Sequence, residues 1–153
     1  MTTTSLAATV THFKALAHPG RLRILAMLRH GELCVCQITA VLRLAPSTVS
    51  AHLAELRRCG LVTERKDAKW VHYRFSDDAT VVRLVHEALS LVDEDRQIRE
   101  DAELIRSIRR IPVERLCRAG LDLSAIGLRS RETHASPPRA QRQSRTRETR
   151  HGR

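Results

Sequence analysis

Cys34 and Cys36, one residue apart, are the pair in this 153-residue chain whose type and spacing most directly suggest chemistry. Thiolates are soft ligands that select soft ions, and two this close can share one ion. They fall at the predicted start of a short helix, where the helix dipole favours the thiolate and lowers its pKa. An i, i+2 pair cannot share one face of an ideal helix, so an ion held by both sulfurs must distort the first turn. Two further cysteines, Cys59 and Cys117, complete the set. Four thiols with no leader-like segment before them point to metal or redox chemistry rather than a disulfide framework. Taken singly, Cys59 and Cys117 read as small buried hydrophobes.

A second constellation is Pro46-Ser47-Thr48-Val49-Ser50-Ala51-His52. Val49 and Leu53 must face a core. That leaves Ser47 and Ala51 outward, with Thr48, Ser50 and His52 on the flanks, where short side chains can meet base edges in a major groove. Arg57 and Arg58 close the same helix and can reach phosphates. Arg65, Lys66 and Lys69 bracket a predicted β-turn, where clustered cations suit phosphate or minor-groove contact. The plainer readings are a Ser/Thr-capped surface helix and solvated edge-strand charges.

These residues need elements to position them. Leu6, Val10, Phe13 and Leu16 recur at helical spacing, and His18-Pro19 interrupts that helix. Pro19 opens a second helix with Leu22, Leu25 and Leu28 inward and Gly31 as its stop. Val35, Ile38 and Leu42 make a short third. The fourth runs from Pro46 through Val49, Leu53 and Leu56 to Cys59-Gly60. The period then changes to two: Leu61–Lys66 and the alternating Val71, Tyr73, Phe75 read as strands joined at Asp67-Ala68. Ser76 or Asp77 caps a following helix carrying Val82, Val85, Leu89 and Val92. Ile98, Ala102, Ile105 and Ile108 mark another, which Pro112 ends. The fold class predicted is mainly α with a small β-hairpin wing, a winged helix-turn-helix.

The net charge is +10, of which residues 129–153 contribute +6 from eight arginines and two glutamates. Both parts favour a polyanionic partner. One Trp, one Tyr and two Phe are too few for a base-stacking single-strand or RNA binder, so duplex DNA fits better. Residues 1–111 read as the DNA-binding and dimerisation domain, 112–128 as a short helical segment, and 129–153 as a disordered Arg-rich tail. No signal peptide or membrane span is read, so the chain is expected to be cytoplasmic. The six glycines form no anion-cradling loop, which argues against an enzyme such as a thiol-dependent reductase.

The run from Phe13 to Leu25 (FKALAHPGRLRIL) resembles the opening of the ArsR/SmtB family of metal-sensing repressors. So do Glu32–Ile38 (ELCVCQI), Ser47–Leu53 (STVSAHL) and Arg65–Phe75 (RKDAKWVHYRF), in order and at the family's spacing over about residues 8–92. The resemblance implies a homodimer through the first and C-terminal helices, bound to a palindromic operator and released by an inducer. The ELCVC phrase is similar to that of arsenite and antimonite sensors, and also of a subset sensing cadmium or lead. Arsenite takes three sulfurs, and no third cysteine follows nearby. A C-terminal segment carrying Cys117 can fold back onto the third helix, whereas Cys59 is fixed in the reading head. The ligand set read here is therefore Cys34 and Cys36 with Cys117, and Cys59 is the alternative third thiol. A thiol redox sensor on the same scaffold is the alternative.

Overall fold

The computed structural model describes residues 5–120 and 122–128. Four helices come first: α1 (Leu6–Leu16), α2 (Pro19–Leu28), α3 (Val35–Leu42) and α4 (Pro46–Arg58), with a two-residue strand β1 (Leu33–Cys34) before α3. The hairpin β2 (Val62–Asp67) and β3 (Trp70–Phe75) follows, then α5 (Ala79–Ser90), α6 (Arg96–Ile108), α7 (Val113–Arg118) and a 3₁₀ turn (Ser124–Ile126). The tail read as residues 129–153 lies outside the described residues.

Local chemistry accounts for most boundaries. Ser5 Oγ accepts from the Ala8 amide at 3.1 Å and starts α1. Ala17 closes α1, and the next residue caps α2: His18 Nδ1 accepts from the Gly20 amide at 3.0 Å. Gly60 ends α4 with φ 71°. Its amide reaches the Arg57 carbonyl and the Leu61 amide the Leu56 carbonyl, both at 2.9 Å. That is the paired closure that a left-handed residue after a helix permits. The cap of α5 is Asp78, whose carboxylate accepts from Thr80 and Val81 at 2.8 and 3.1 Å. It is not Ser76 or Asp77: Ser76 accepts from the Asp78 amide, and both Asp77 oxygens are taken by Arg74.

The sheet differs from the expected hairpin by one strand. Its order is β1-β3-β2, all antiparallel. Leu33 pairs with Tyr73 and Cys34 with His72, so the first cysteine is a strand residue and only the second is helical. The hairpin turns through Ala68-Lys69, with Ala68 at φ 51°, a strained value for a residue with a Cβ.

Ile24, Leu25, Met27, Ile38, Leu53 and Leu56 form the centre of the core, each with no more than 1 % exposed. Such side chains contribute roughly 1.5–3 kcal/mol each on burial. The buried stripe of α5 is Val81, Val85 and Leu89. Helix α6 lies across α2 and α3 with Ile105 and Ile108 fully buried, and α7 packs on α3 through Leu116.

A buried ion pair registers α6 on α2. Asp101, 2 % exposed, accepts from Arg23 Nε at 2.7 Å and Nη2 at 2.9 Å, and from Gln97 Nε2 at 2.9 Å. Removing the cation strands a carboxylate that cannot reach water. Arg23→Met is therefore expected to cost about 3 kcal/mol of unfolding free energy, read from the urea midpoint. A loss below about 1 kcal/mol would mean α6 is held by its apolar face alone.

Candidate functional site

The reading head is α3, a three-residue turn and α4. Arg43 ends α3 in the left-handed region, φ 54°, which turns the chain sharply into Leu44-Ala45. Pro46 then occupies the first turn of α4, and the N-cap is Ala45, which offers no side-chain cap. The capping explanation for the Ser/Thr cluster is thereby removed. Ser47, Thr48, Ser50 and Ala51 are exposed, with Val49, Leu53 and Leu56 buried behind them. Among the described residues the Ser47, Thr48 and Ser50 hydroxyls have no internal hydrogen-bond partner, which leaves them free for an external one.

His52 is placed differently from its neighbours. It is half-buried, its ring 4.4 Å from that of His18 on the N-terminal side of α2. Burial pushes its pKa down, with His18 and Arg21 adding to the effect.

The arginines proposed for phosphates are all held by carboxylates. Arg57 Nη1 donates to Glu64 Oε1 at 2.7 Å, and Tyr73 Oη donates to the other oxygen at 3.2 Å, tying α4 to both wing strands. Arg58 donates twice to Glu55, at 2.7 and 2.9 Å. Arg65 reaches Glu32 at 2.6 Å and Asp67 at 3.4 Å, and this Arg65 contact is what holds Glu32 below the usual carboxylate range. Lys66 and Lys69 are exposed, the latter with Nζ 4.8 Å from the Trp70 ring centre. The sequence reading missed Glu32 and Glu64. No periodicity marks an ion pair between residues 33 positions apart.

Cys34 is fully buried at the end of β1, and its backbone N–H donates to Gln37 Oε1 at 2.8 Å. The backbone N–H groups of Cys36 and Val71 partly offset the effect of burial on its thiol. The Cys36 thiol, in the first turn of α3, is near enough to the Cys34 and Cys117 thiols for both to add to the upward push that burial gives its pKa. Cys117 arrives on α7 from the same chain. Cys59 is elsewhere, at the end of α4, with its sulfur 3.5 Å from Glu55 Oε1. Burial pushes the Cys34 and Cys36 thiols up rather than down. The expected lowering by the α3 dipole is thus overruled, because desolvation of a buried sulfur exceeds the pull of one short helix. Among the described residues no group of three or more His, Cys, Asp or Glu side chains stands close enough together to hold a metal ion.

Residues 18–64 match the family described as bacterial regulatory protein, arsR family. The chain is 46% identical over 63 residues to an arsenic resistance transcriptional regulator of Pseudomonas putida, covering 40% of this chain and 49% of that one. It thus spans about half that relative's length. It is 44% identical over 79 residues to the arsenical resistance operon repressor of Escherichia coli, covering 50% of this chain and 68% of that one. Among solved structures it resembles the homodimeric winged helix-turn-helix DNA-binding domain of a possible ArsR-family regulator from Mycobacterium bovis. That likeness has a TM-score of 0.53 and 33% identity, over 60% of this chain and 83% of that one. The chain belongs to the ArsR family of bacterial regulatory proteins, which are DNA-binding transcriptional regulators and not enzymes.

Proposed function

We propose that this chain is an operator-binding repressor that leaves DNA when arsenite or antimonite is taken up by Cys34, Cys36 and Cys117. The observation that carries this reading is that α7 packs on α3 and brings Cys117 near Cys36, two residues from Cys34, inside one protomer. A second copy supplies the symmetry that paired half-sites require. The apolar residues left exposed on α1, Leu6 at 82 %, Val10 and Phe13, suit that contact. The wing lysines, the paired arginines when released by their carboxylates, and the Arg-rich segment from residue 129 add sequence-independent affinity for phosphates.

Charge separates the trivalent from the divalent inducers. Arsenous acid condenses with three neutral thiols, forming three As–S bonds and releasing three waters, and both reactant and product are uncharged. A cadmium or lead ion must instead expel three protons, and it leaves one net negative charge among buried groups. With Cys34 fully buried and Cys36 and Cys117 half-buried, these thiols favour the trivalent hydroxide. Operator release, followed by anisotropy of labelled DNA, is expected to need nearly the same arsenite concentration across about pH 6–8. The concentration of cadmium required should fall steeply as pH rises, because each ion bound displaces three protons. Cadmium releasing DNA at lower concentration than arsenite at neutral pH would favour the divalent reading.

The Cys36–Cys117 contact also supports a redox reading. Peroxide would oxidise the two thiols to a disulfide joining α3 and α7, itself reduced to two waters. Release by peroxide without release by anaerobic arsenite would select that alternative.

A further inference from the structure

We propose that Glu32 is a positioning residue that passes inducer binding at the thiols to the DNA-contacting wing, through its ion pair with Arg65 and the β1–β3 pairing. The proposal rests on the thiol-sensor reading above. Glu32 stands two residues before Cys34, at the entry to β1. Its carboxylate accepts from Arg65 Nη2 at 2.6 Å and Nε at 3.4 Å, and lies 3.7 Å from His72 Nδ1. Arg65 is on β2 and His72 on β3, so one side chain reaches both strands of the wing.

The strand register makes the linkage direct. Cys34 pairs with His72, and His72 pairs with Arg65, so the three stand in one row across the sheet on a single face. Closing Cys34 and Cys36 on one ion must move the end of β1. The wing cannot stay still unless the pairing and the Glu32–Arg65 contact both yield.

Stability alone does not account for the contact. Arg65 is about half exposed, 53 %, and an ion pair at that exposure contributes little to folding. What the contact does is aim a guanidinium. It draws Arg65 back toward the root of the wing instead of letting it extend to phosphate.

The test uses the full chain in three forms: wild type, Glu32→Gln, and the charge swap E32R/R65E. Three quantities are read: operator affinity with and without arsenite, the near-ultraviolet absorbance of arsenic–thiolate bonds, and the emission of Trp70. Trp70 is the chain's single tryptophan and opens β3. Wild type should lose roughly 5–150-fold in operator affinity on taking up arsenite and should change its Trp70 emission. Glu32→Gln should gain the same arsenic–thiolate absorbance, while its arsenite-dependent loss of affinity shrinks at least about fivefold and the Trp70 change fades. The swap should recover part of the coupling. Full-sized arsenite-dependent release and an unchanged Trp70 response in Glu32→Gln would overturn the role of Glu32 and leave the sensor reading standing. Absence of arsenic–thiolate absorbance in the wild type would overturn the sensor reading and this inference with it.

Discussion

Cys117→Ser is expected to bind operator as wild type does and to lose its release by arsenite. Cys117 lies on α7, away from the exposed Ser47–Ala51 turn of α4, so its sulfur has no part in DNA contact. Its neighbour is the Cys36 thiol. With serine there, the inducer keeps two sulfurs at most, and the roughly 5–150-fold loss of DNA affinity that a coupled ligand produces should collapse toward none. Cys34→Ser and Cys36→Ser should behave alike in release. Cys34→Ser has an added cost, because it places a hydroxyl in a fully buried position without the sulfur's apolar contacts. Cys59→Ser should still release DNA, since the Cys59 sulfur faces Glu55 and Arg58 instead of the other thiols. X-ray absorption at the arsenic edge gives the direct count: three sulfur neighbours in wild type and Cys59→Ser, two in Cys117→Ser. Three sulfurs surviving in Cys117→Ser with two in Cys59→Ser would transfer the third-ligand role.

The legible part of this molecule was the part written in short-range chemistry. Helices α2 and α4 announce themselves by a proline at the first turn and a glycine after the last, and the change from a helical to a two-residue period exposes β2 and β3. Strand β1 could not be found in this way. Leu33 and Cys34 are two residues with no alternation to read, and they are strand only because Tyr73 and His72 lie beside them. The same limit hid Glu32, Glu64 and Asp101, whose partners come from remote elements. The Cys34–Cys36 spacing was visible, but the dipole argument for low thiol pKa failed, because burial is a property of the packed chain and not of the local run. The α5 cap was read one or two residues early: Ser, Asp and Asp stand together at 76–78, and Arg74 decides which carboxylate remains free to cap. The choice of Cys117 over Cys59 followed from chain reach, which a sequence offers without packing; that α7 lies on α3 is a property of the folded chain, and the ligand role itself is the proposal tested above.

Replacing Ser47, Thr48 and Ser50 together by alanine is expected to remove operator preference while leaving the fold intact. All three are exposed on the outward face of α4, and none caps the helix, whose N-cap is Ala45. Alanine is the better helix former, so each change should alter stability by no more than about 0.5 kcal/mol. An urea midpoint at or slightly above wild type should accompany the loss of binding, which separates lost recognition from unfolding. At about 1 kcal/mol for each contact to a base edge, the three hydroxyls account for roughly 3 kcal/mol, or about 100-fold in affinity for the operator. Affinity for unrelated duplex should hardly change, because hydroxyls displace no counterions, and the slope of log affinity against log salt should stay as it is. Lys66→Ala with Lys69→Ala should give the opposite pattern, a shallower slope with the operator still preferred, since those two exposed cations can act on any phosphate. If the triple-alanine protein keeps its operator preference at wild-type strength, α4 does not present this turn to the bases, and sequence must be read from another part of the reading head.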